Sequence, residues 1–137
     1  MVRTGKENCS VLIVDDQLGV RKLLFEALKD DFKEVFVAAS GAEAIEKVEK
    51  HIPDVVVMDM KMPRMNGLEV LKHLRSTGYN NPVIMMTAYG ELEIVTEAAK
   101  MGVRQHITKP FDLQELRKKI KDTLRETSRV KEESLAY

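Results

Sequence analysis

The 137-residue sequence is poor in the residues that mark secreted and low-complexity proteins. It has one cysteine, Cys9, so no disulfide can form within the chain and a reducing compartment suits it. It has no tryptophan, only 4 prolines and 7 glycines, and no internal repeat. No apolar run approaches the 18 residues of a membrane-spanning helix. We therefore expect a cytoplasmic protein without a membrane segment.

The sequence also has no excess of positive or negative charge, because Lys plus Arg and Asp plus Glu both number 22. A net charge of zero gives no general attraction to nucleic acid or to anionic membrane. Hydrophobic residues make up 44% of the chain, enough for a buried core. The length predicts one domain, which we place at residues 8–126. Residues 127–137 are charged and predict a frayed helix end, a flexible tail or a linker remnant.

Five short apolar runs alternate with five amphipathic stretches, a pattern typical of an α/β protein with a parallel sheet. Val55, Val56 and Val57 stand in succession, which indicates a strand covered by helices on both faces. Leu113, Leu116, Ile120 and Leu124 form one helical stripe, and another consists of Val20, Leu23, Leu24, Ala27 and Leu28. The predicted strands are Val11–Val14, Val35–Ala38, Val55–Met58, Val83–Met86 and Val103–Ile107.

Polar residues stand where the predicted strands end. Asp15 and Asp16 follow the first run, Asp59 ends the third, Thr87 ends the fourth and Lys109 ends the fifth. The carboxyl ends of parallel strands lie along one edge of the sheet, where ligand crevices open. If the first and third strands are neighbours, three carboxylates, a hydroxyl and an ammonium share one pocket.

Each of these residues also has a purely structural interpretation. Asp16 and Thr87 are residue types that cap helices, and both precede helical patterns. Asp59 could be a loop residue, and Lys109 could be a strand-end charge before a turn-forming proline. Their joint placement at the ends of four strands favours a site over four unrelated structural roles.

Three carboxylates in one pocket need a cation. Two like charges about 5 Å apart repel by roughly 3 kcal/mol at an effective dielectric constant near 20, and one lysine offsets only part of that. An all-oxygen ligand set with few protein ligands suits Mg²⁺, with Mn²⁺ as an alternative. Beside such an ion, Asp59 could act as a nucleophile toward phosphorus, with Lys109 and Thr87 contacting the phosphoryl oxygens.

The motifs VLIVDD at 11–16, VVVMDMKMPRMNG at 55–67, VIMMTAYG at 83–90 and ITKPFD at 107–112 resemble the receiver domain of two-component response regulators. The resemblance implies a flavodoxin-like, doubly wound five-stranded parallel sheet in the order 2-1-3-4-5 with five helices. It also implies a cis peptide before Pro110. The roles that it implies are metal ligands at Asp15, Asp16, Asp59 and the Lys61 backbone carbonyl, a phosphoacceptor at Asp59, a phosphate-pairing Lys109 and a switch hydroxyl at Thr87.

Three segments are more specific: DDQLG at 15–19, TAYGELE at 87–93 and KPFDLQELR at 109–117. They resemble the single-domain receivers that serve as intermediate phosphotransferases of sporulation phosphorelays. His106 stands where many receivers have Tyr or Phe, which favours a relay over an aromatic rotamer switch and makes His106 a second switch candidate. A half-buried strand histidine without a signalling role is the alternative for His106.

The resemblance implies a sensor histidine kinase as partner, a histidine phosphotransferase as a second one, and a protein that acts as a monomer. Leu18 lies off the predicted core stripe of its helix, so it suits docking to partner helices, although it could instead pack under a neighbouring loop. The rim that we expect to meet partners consists of Gln17, Leu18, Gly19, Tyr89, Gly90, Pro110 and Phe111.

Two other functions stay open at this point. The chain could be the receiver part of a DNA-binding response regulator, with 127–137 as the start of a linker. A phosphatase resembling the haloacid dehalogenase group is more distant, because those enzymes carry a second Asp two residues after the nucleophile and here that position is Lys61.

Overall fold

The computed structural model describes residues 7–88 and 90–135, with side chains for 8–88 and 90–127. Strands and helices alternate strictly along these residues. The strands are β1 (Glu7–Val14), β2 (Phe32–Ala38), β3 (Val55–Asp59), β4 (Val83–Thr87) and β5 (Gln105–Thr108). The helices are α1 (Leu18–Leu28), α2 (Gly41–His51), α3 (Gly67–Ser76), α4 (Leu92–Ala99) and α5 (Leu113–Leu135).

The five strands form one parallel sheet in the order β2-β1-β3-β4-β5, as the family resemblance implies. The chain runs from β1 outward to β2 and then returns to place β3 on the other side of β1. Strand order therefore reverses between β1 and β3, and a crevice opens beyond their carboxyl ends. Asp15 and Asp59 stand at this reversal point.

Alternate residues of the strands enter two separate cores. On one face, Leu12, Val56 and Met85 pack with residues of α2, α3 and α4. On the other face, Ile13, Val57 and Ile84 pack with residues of α1 and α5. All five residues of β3 and of β4 are buried, which confirms that helices cover both faces of the sheet.

Local capping fixes where two of the helices begin. The Ser40 hydroxyl accepts a hydrogen bond from the Glu43 N–H at the start of α2. At the start of α3, Asn66 and Glu69 form a reciprocal capping box, in which each side chain accepts from the other's backbone N–H. The loop between β3 and α3 is thereby held at its far end, beside the predicted site.

Several sequence predictions need correction. The sequence pattern puts Leu23 on the core stripe of α1, but Leu23 is 54% exposed, because the helix turns Leu24 and Leu28 toward the sheet and Leu23 lies about 100° around the helix from Leu24. Strand β5 begins at Gln105, two residues after the predicted start, because the Val103 N–H donates to the Ala98 carbonyl and so still belongs to the end of α4.

The C-terminal segment was expected to be a frayed helix end, a tail or a linker remnant. Helix α5 continues to Leu135, so the backbone of 127–135 is helical, and residues 136–137 lie outside the described part. The domain boundary at 126 stays a prediction. Within the described residues, none of the helices has the length and apolar character needed to cross a membrane.

Ile52 ends α2 in the left-handed conformation, with φ 46° and ψ 63°. This conformation is unfavourable for a β-branched residue by roughly 1–2 kcal/mol, and Ile52 regains little by packing because it is 64% exposed.

We expect Ile52→Gly to raise the free energy of unfolding by roughly 0.5–1 kcal/mol, because glycine adopts the left-handed conformation without strain. Urea denaturation would measure the change. Ile52→Val is the matched control, since it keeps β-branching and should leave stability nearly unchanged. Equal stability of the Gly and Val variants would contradict this account of the α2 terminus.

Candidate active site

Three aspartates converge at the carboxyl ends of β1 and β3. One carboxylate oxygen each of Asp15, Asp16 and Asp59 lies within 4.8 Å of the others. Asp15 is fully buried and Asp59 is 7% exposed, whereas Asp16 faces solvent. The parallel pairing of β1 with β3, through Val14 opposite Met58, places the two buried carboxylates side by side.

Lys109 supplies the positive charge of this cluster. Its Nζ lies 2.9 Å from Asp15 Oδ2 and 3.4 Å from Asp59 Oδ2, so one ammonium contacts both buried carboxylates. The bridge between β1 and the end of β5 spans 94 residues of sequence. The predicted convergence of Asp15, Asp59 and Lys109 is therefore confirmed.

Burial, hydrogen bonds and neighbouring charges together set the pKa values of Asp59 and Lys109. Desolvation raises the pKa of Asp59 above its ordinary value of 3.8, and the Lys61 N–H and the Lys109 charge offset this only in part. Burial of Lys109 works to lower its pKa, but the hydrogen bond to Asp15 and the charges of both aspartates outweigh burial, so the pKa of Lys109 is raised. Lys109 is therefore protonated at neutral pH, whereas desolvation makes the ionised form of Asp59 less favourable than it is in water.

The first carboxylate is fixed by its own turn. Asp15 Oδ1 accepts a hydrogen bond from the Gln17 N–H at 2.9 Å, and the Asp15 carbonyl accepts one from Arg21 Nη1 at 2.7 Å. The Asp15 N–H donates to the Ala38 carbonyl of β2. Because every polar group of Asp15 is engaged, its carboxylate cannot turn away from Asp59. Arg21 was not singled out from the sequence.

Asp59 is held by the loop that follows it. The Lys61 N–H donates to Asp59 Oδ1 at 3.1 Å, and the Met60 N–H continues the β3–β4 pairing by donating to the Met86 carbonyl. Gly67 approaches Met60 so closely that an added Cβ would lie 2.6 Å from the Met60 sulfur, so only glycine fits there. The metal role predicted for the Lys61 carbonyl stays a prediction.

Thr87 is buried at the end of β4, on the strand next to Asp59. Its hydroxyl lies 3.5 Å from the Ile107 carbonyl of β5, a weak contact that leaves the hydroxyl easy to redirect. The Thr87 carbonyl accepts from the Lys109 N–H at 2.7 Å, and the Lys109–Pro110 peptide bond is cis, as expected. Thr87 and Lys109 are thus linked through the backbone.

Sequence reasoning missed Glu91. Its side chain is only 11% exposed, and its carboxylate lies 3.4 Å from Lys61 Nζ while accepting a hydrogen bond from the Ala88 N–H. Glu91 therefore joins the loop after Asp59 to the loop after Thr87. The only sequence signal was its place four residues after Thr87, within a motif that was read as a family feature.

The predicted rim is largely at the surface. Gln17, Gly19, Gly90 and Pro110 are exposed, Phe111 is half-buried against the α1 and α5 core, and Tyr89 lies outside the described residues. Leu18 is 56% exposed, which confirms that it lies off the core stripe and excludes burial under a loop. His106 is exposed on β5, so the expected half-burial is wrong, while both its switch role and the alternative of no signalling role stay predictions.

The donor set fits a hard divalent cation. Three carboxylates offer oxygen ligands, and Asp16 is exposed and makes no ion pair with the described residues, so it can turn toward an ion. Lys109 contacts the two buried carboxylates and leaves the third charge uncompensated. The cluster can hold a metal ion, and an ionised Asp59 beside it can act as a nucleophile.

Comparison with models of protein families shows which family this chain belongs to. The model of the response regulator receiver domain matches residues 11–121. The chain belongs to this family. Phosphoryl transfer to an aspartate is the family's function, and the acidic cluster is compatible with it.

Among curated relatives, Sporulation initiation phosphotransferase F of Bacillus subtilis (strain 168) is 44% identical over 117 residues, which cover 85% of this receiver domain and 94% of the relative. The transcriptional regulatory protein CiaR of Streptococcus pneumoniae is 35% identical, and the match covers 93% of this chain but only 56% of CiaR. This chain therefore spans nearly the whole of one relative and about half of the other.

Solved structures agree. A response regulator receiver domain protein from Clostridium thermocellum superimposes with a TM-score of 0.82 at 27% identity, covering 89% of this chain and 98% of that one. The chemotaxis protein CheY4 of Vibrio cholerae gives a TM-score of 0.79 at 33% identity, covering 85% and 99%. The receiver fold is shared over almost the full length of both.

The raised pKa of Asp59 predicts a pH-dependent stability. Because the folded protein holds a proton on Asp59 more tightly than the unfolded chain does, the contribution of Asp59 to stability is most favourable below the ordinary carboxyl pKa and is lost as pH rises through the raised value. We expect Asp59→Asn, measured in chelator, to be more stable than the native protein at pH 7 and to lose this advantage toward pH 3. Thermal unfolding across this range measures it.

Asp30→Asn is the matched control, since Asp30 is an exposed aspartate outside the cluster. An equal gain in both variants at pH 7 would contradict the assignment of the effect to a buried carboxylate.

Proposed function

We propose that Asp59 accepts a phosphoryl group from a phosphohistidine of a sensor histidine kinase in a Mg²⁺-dependent reaction. The observation that carries this proposal is the contact of one ammonium, Lys109, with the buried carboxylates of Asp15 and Asp59. A lysine so placed compensates charge on the nucleophile before transfer and on the phosphoryl group after it.

In the transfer step, an oxygen of the Asp59 carboxylate attacks phosphorus, an O–P bond forms, and the P–N bond to the donor imidazole breaks. The electron pair of that bond returns to the imidazole nitrogen. Lys109 pairs with one phosphoryl oxygen, and the Thr87 hydroxyl turns from the Ile107 carbonyl to donate to another. The donor leaves as neutral imidazole when its other ring nitrogen already carries a proton, so no further nucleophile is needed.

Asp15, Asp16 and Asp59, with the Lys61 carbonyl, would hold the divalent ion. A bound Mg²⁺ neutralises developing charge on the phosphoryl oxygens and keeps Asp59 ionised against the desolvation that raises its pKa. Mn²⁺ suits the same oxygen ligands. The three aspartates are supported in this role by their mutual distances within 4.8 Å.

The similarity to Sporulation initiation phosphotransferase F supports a relay role, in which Asp59 passes the phosphoryl group on to a histidine phosphotransferase. The same groups then act in reverse: the acceptor imidazole attacks phosphorus and the O–P bond to Asp59 breaks. A monomer in the cytoplasm suits this role. The alternative, a receiver within a DNA-binding regulator, fits less well, since CiaR is 35% identical and is covered over only 56% of its length.

Partner docking is assigned to the rim around the cluster. Leu18 is an apolar side chain with 56% exposure, one turn from the buried Asp15. Exposed apolar groups beside a reactive group favour contact with the apolar face of a partner helix. Gln17, Gly19, Gly90 and Pro110 surround the cluster with exposed small or polar groups that would let such a helix approach.

We expect Asp59→Asn to take up no phosphoryl group from acetyl phosphate, because the amide is not a nucleophile toward phosphorus. Gel electrophoresis that separates the phosphorylated protein from the free protein measures this. The native protein should be labelled in Mg²⁺ and at least roughly tenfold less in chelator, given the part that the ion plays in charge neutralisation.

Asp30→Asn is again the control, and it should label like the native protein. Full labelling of Asp59→Asn would end the assignment of the acceptor. Labelling of the native protein that is unchanged by chelator would remove the metal from the proposal.

We expect Leu18→Glu to lower the rate of phosphotransfer from a phosphorylated histidine kinase by roughly tenfold, since a buried charge in an apolar contact costs on the order of 1–3 kcal/mol. Labelling by acetyl phosphate, which needs no docking, should stay within twofold.

Ile52→Glu is the matched control: Ile52 is 64% exposed at the far end of α2, away from the cluster. Equal loss in the Leu18 and Ile52 variants, or equal loss with acetyl phosphate and kinase, would show that the rim is not the docking surface.

A further inference from the structure

We propose that Glu91 is a positioning residue of the unphosphorylated site. Its carboxylate binds two hydrogen-bond donors, and a phosphoryl group on Asp59 would compete with Glu91 for both. The inference rests on the proposed function. The two donors are the Ala88 N–H and the Lys61 ammonium, both of which contact the Glu91 carboxylate.

Both donors belong to the backbone segments that frame Asp59. Lys61 follows Asp59 by two residues, and its own N–H already donates to Asp59 Oδ1 at 3.1 Å. Ala88 follows Thr87, whose strand is paired with β3 through Asp59 and Met86. A group added to the Asp59 carboxylate therefore emerges between the segment that carries Lys61 and the segment that carries Ala88.

The Glu91 side chain does not serve its own helix. Glu91 is the N-cap residue of α4, yet its side chain makes no capping hydrogen bond. Glutamate is also not among the residue types favoured at an N-cap. Instead its carboxylate reaches back three residues to Ala88 and across to the β3–α3 loop. Its contacts are thus explained by the site rather than by helix capping.

The two contacts differ in strength. The Ala88 N–H is bound by a carboxylate whose side chain is only 11% exposed, whereas Lys61 is 71% exposed and its ion pair is 3.4 Å long. Ion pairs with such an exposed partner contribute little and are easily exchanged. The Lys61 ammonium is therefore the donor that leaves Glu91 first when a stronger anion arrives.

A phosphoryl group brings roughly two negative charges, so it attracts Lys61 and repels the Glu91 carboxylate. Release of Lys61 removes the charge that compensated Glu91, and the Glu91 carboxylate and the phosphoryl group then compete for the Ala88 N–H. Glu91 thereby opposes phosphorylation in the resting state and transmits it to the start of α4 when it occurs.

The experiment compares Glu91→Gln with the native protein. Glutamine keeps an oxygen that accepts from the Ala88 N–H but removes the charge. We expect phosphorylation by acetyl phosphate in Mg²⁺ to become about threefold faster, and binding of beryllofluoride, a phosphoryl mimic, to become about threefold tighter by calorimetry, as expected for loss of one partly exposed charge interaction.

Glu93→Gln is the matched control, because Glu93 is exposed in the first turn of the same helix and makes no ion pair with the described residues. It should change both quantities by less than about 1.5-fold, as expected of a screened surface charge. Lys61→Met tests the pair from the other side: it should slow phosphorylation, and in its background the gain from Glu91→Gln should fall below about twofold, because the two charges act as a pair.

Gains in the Glu91 variant that match those of Glu93→Gln, or that persist in full without Lys61, would overturn the inference while leaving Asp59 as acceptor. Failure of the native protein to label at all would instead overturn the proposed function. A purely structural Glu91 would lower thermal stability in Glu91→Gln without the coupling to Lys61, which also counts against the inference.

Discussion

The site depends on the ammonium of Lys109 between two buried carboxylates. Asp15 is fully buried and Asp59 nearly so, and without a cation their repulsion would favour either a protonated aspartate or a displaced strand end. Lys109 contacts both. Because Lys109 follows β5 while its partners follow β1 and β3, this one side chain also ties the edge of the sheet to its centre. Electrostatic balance and strand placement are thus a single constraint.

Lys109 compensates only part of the negative charge of the three aspartates. Desolvation still raises the pKa of Asp59, and Asp16 adds a further negative charge at the surface. A site with surplus negative charge is ready for a divalent ion, and an ion then admits an anionic substrate that bare carboxylates would repel. Glu91 has a similar part at the edge of the site, since its carboxylate pairs with the Lys61 ammonium until a stronger anion is present.

Much of this arrangement could be predicted from the sequence, and the reasons are local. Asp15, Asp59 and Thr87 each stand directly after an apolar run and Lys109 stands two residues after one, and parallel topology brings such positions to one edge. The apolar run Val55–Val57, which does not alternate with polar residues, predicted correctly that β3 is buried on both faces of the sheet. Strand order, by contrast, came from family resemblance, since apolar runs carry no information about which strands are neighbours.

The errors and omissions concern contacts that a periodic pattern cannot encode. Leu23 fits the helical stripe of α1, but Leu24 and Leu28 are the residues of this helix that are fully buried, and Leu23 is exposed. Glu91 is one of many acidic residues in the chain, and only the turn after Thr87 directs it toward Lys61. Arg21 likewise acquires its role from the position of the Asp15 carbonyl.

Helix α5 has 23 residues, more than twice the length of α2 or α3. At about 1.5 Å per residue it is roughly 35 Å long, whereas the five-residue strand β4 spans only about 17 Å. Among the α5 residues whose side chains the structure describes, Leu116, Ile120 and Leu124 are buried against the sheet. A tilt of about 5° about the residue where α5 begins would displace the other end of the helix, roughly 35 Å away, by about 3 Å. A small rearrangement beside Lys109 is thus geometrically magnified at the opposite pole of the domain.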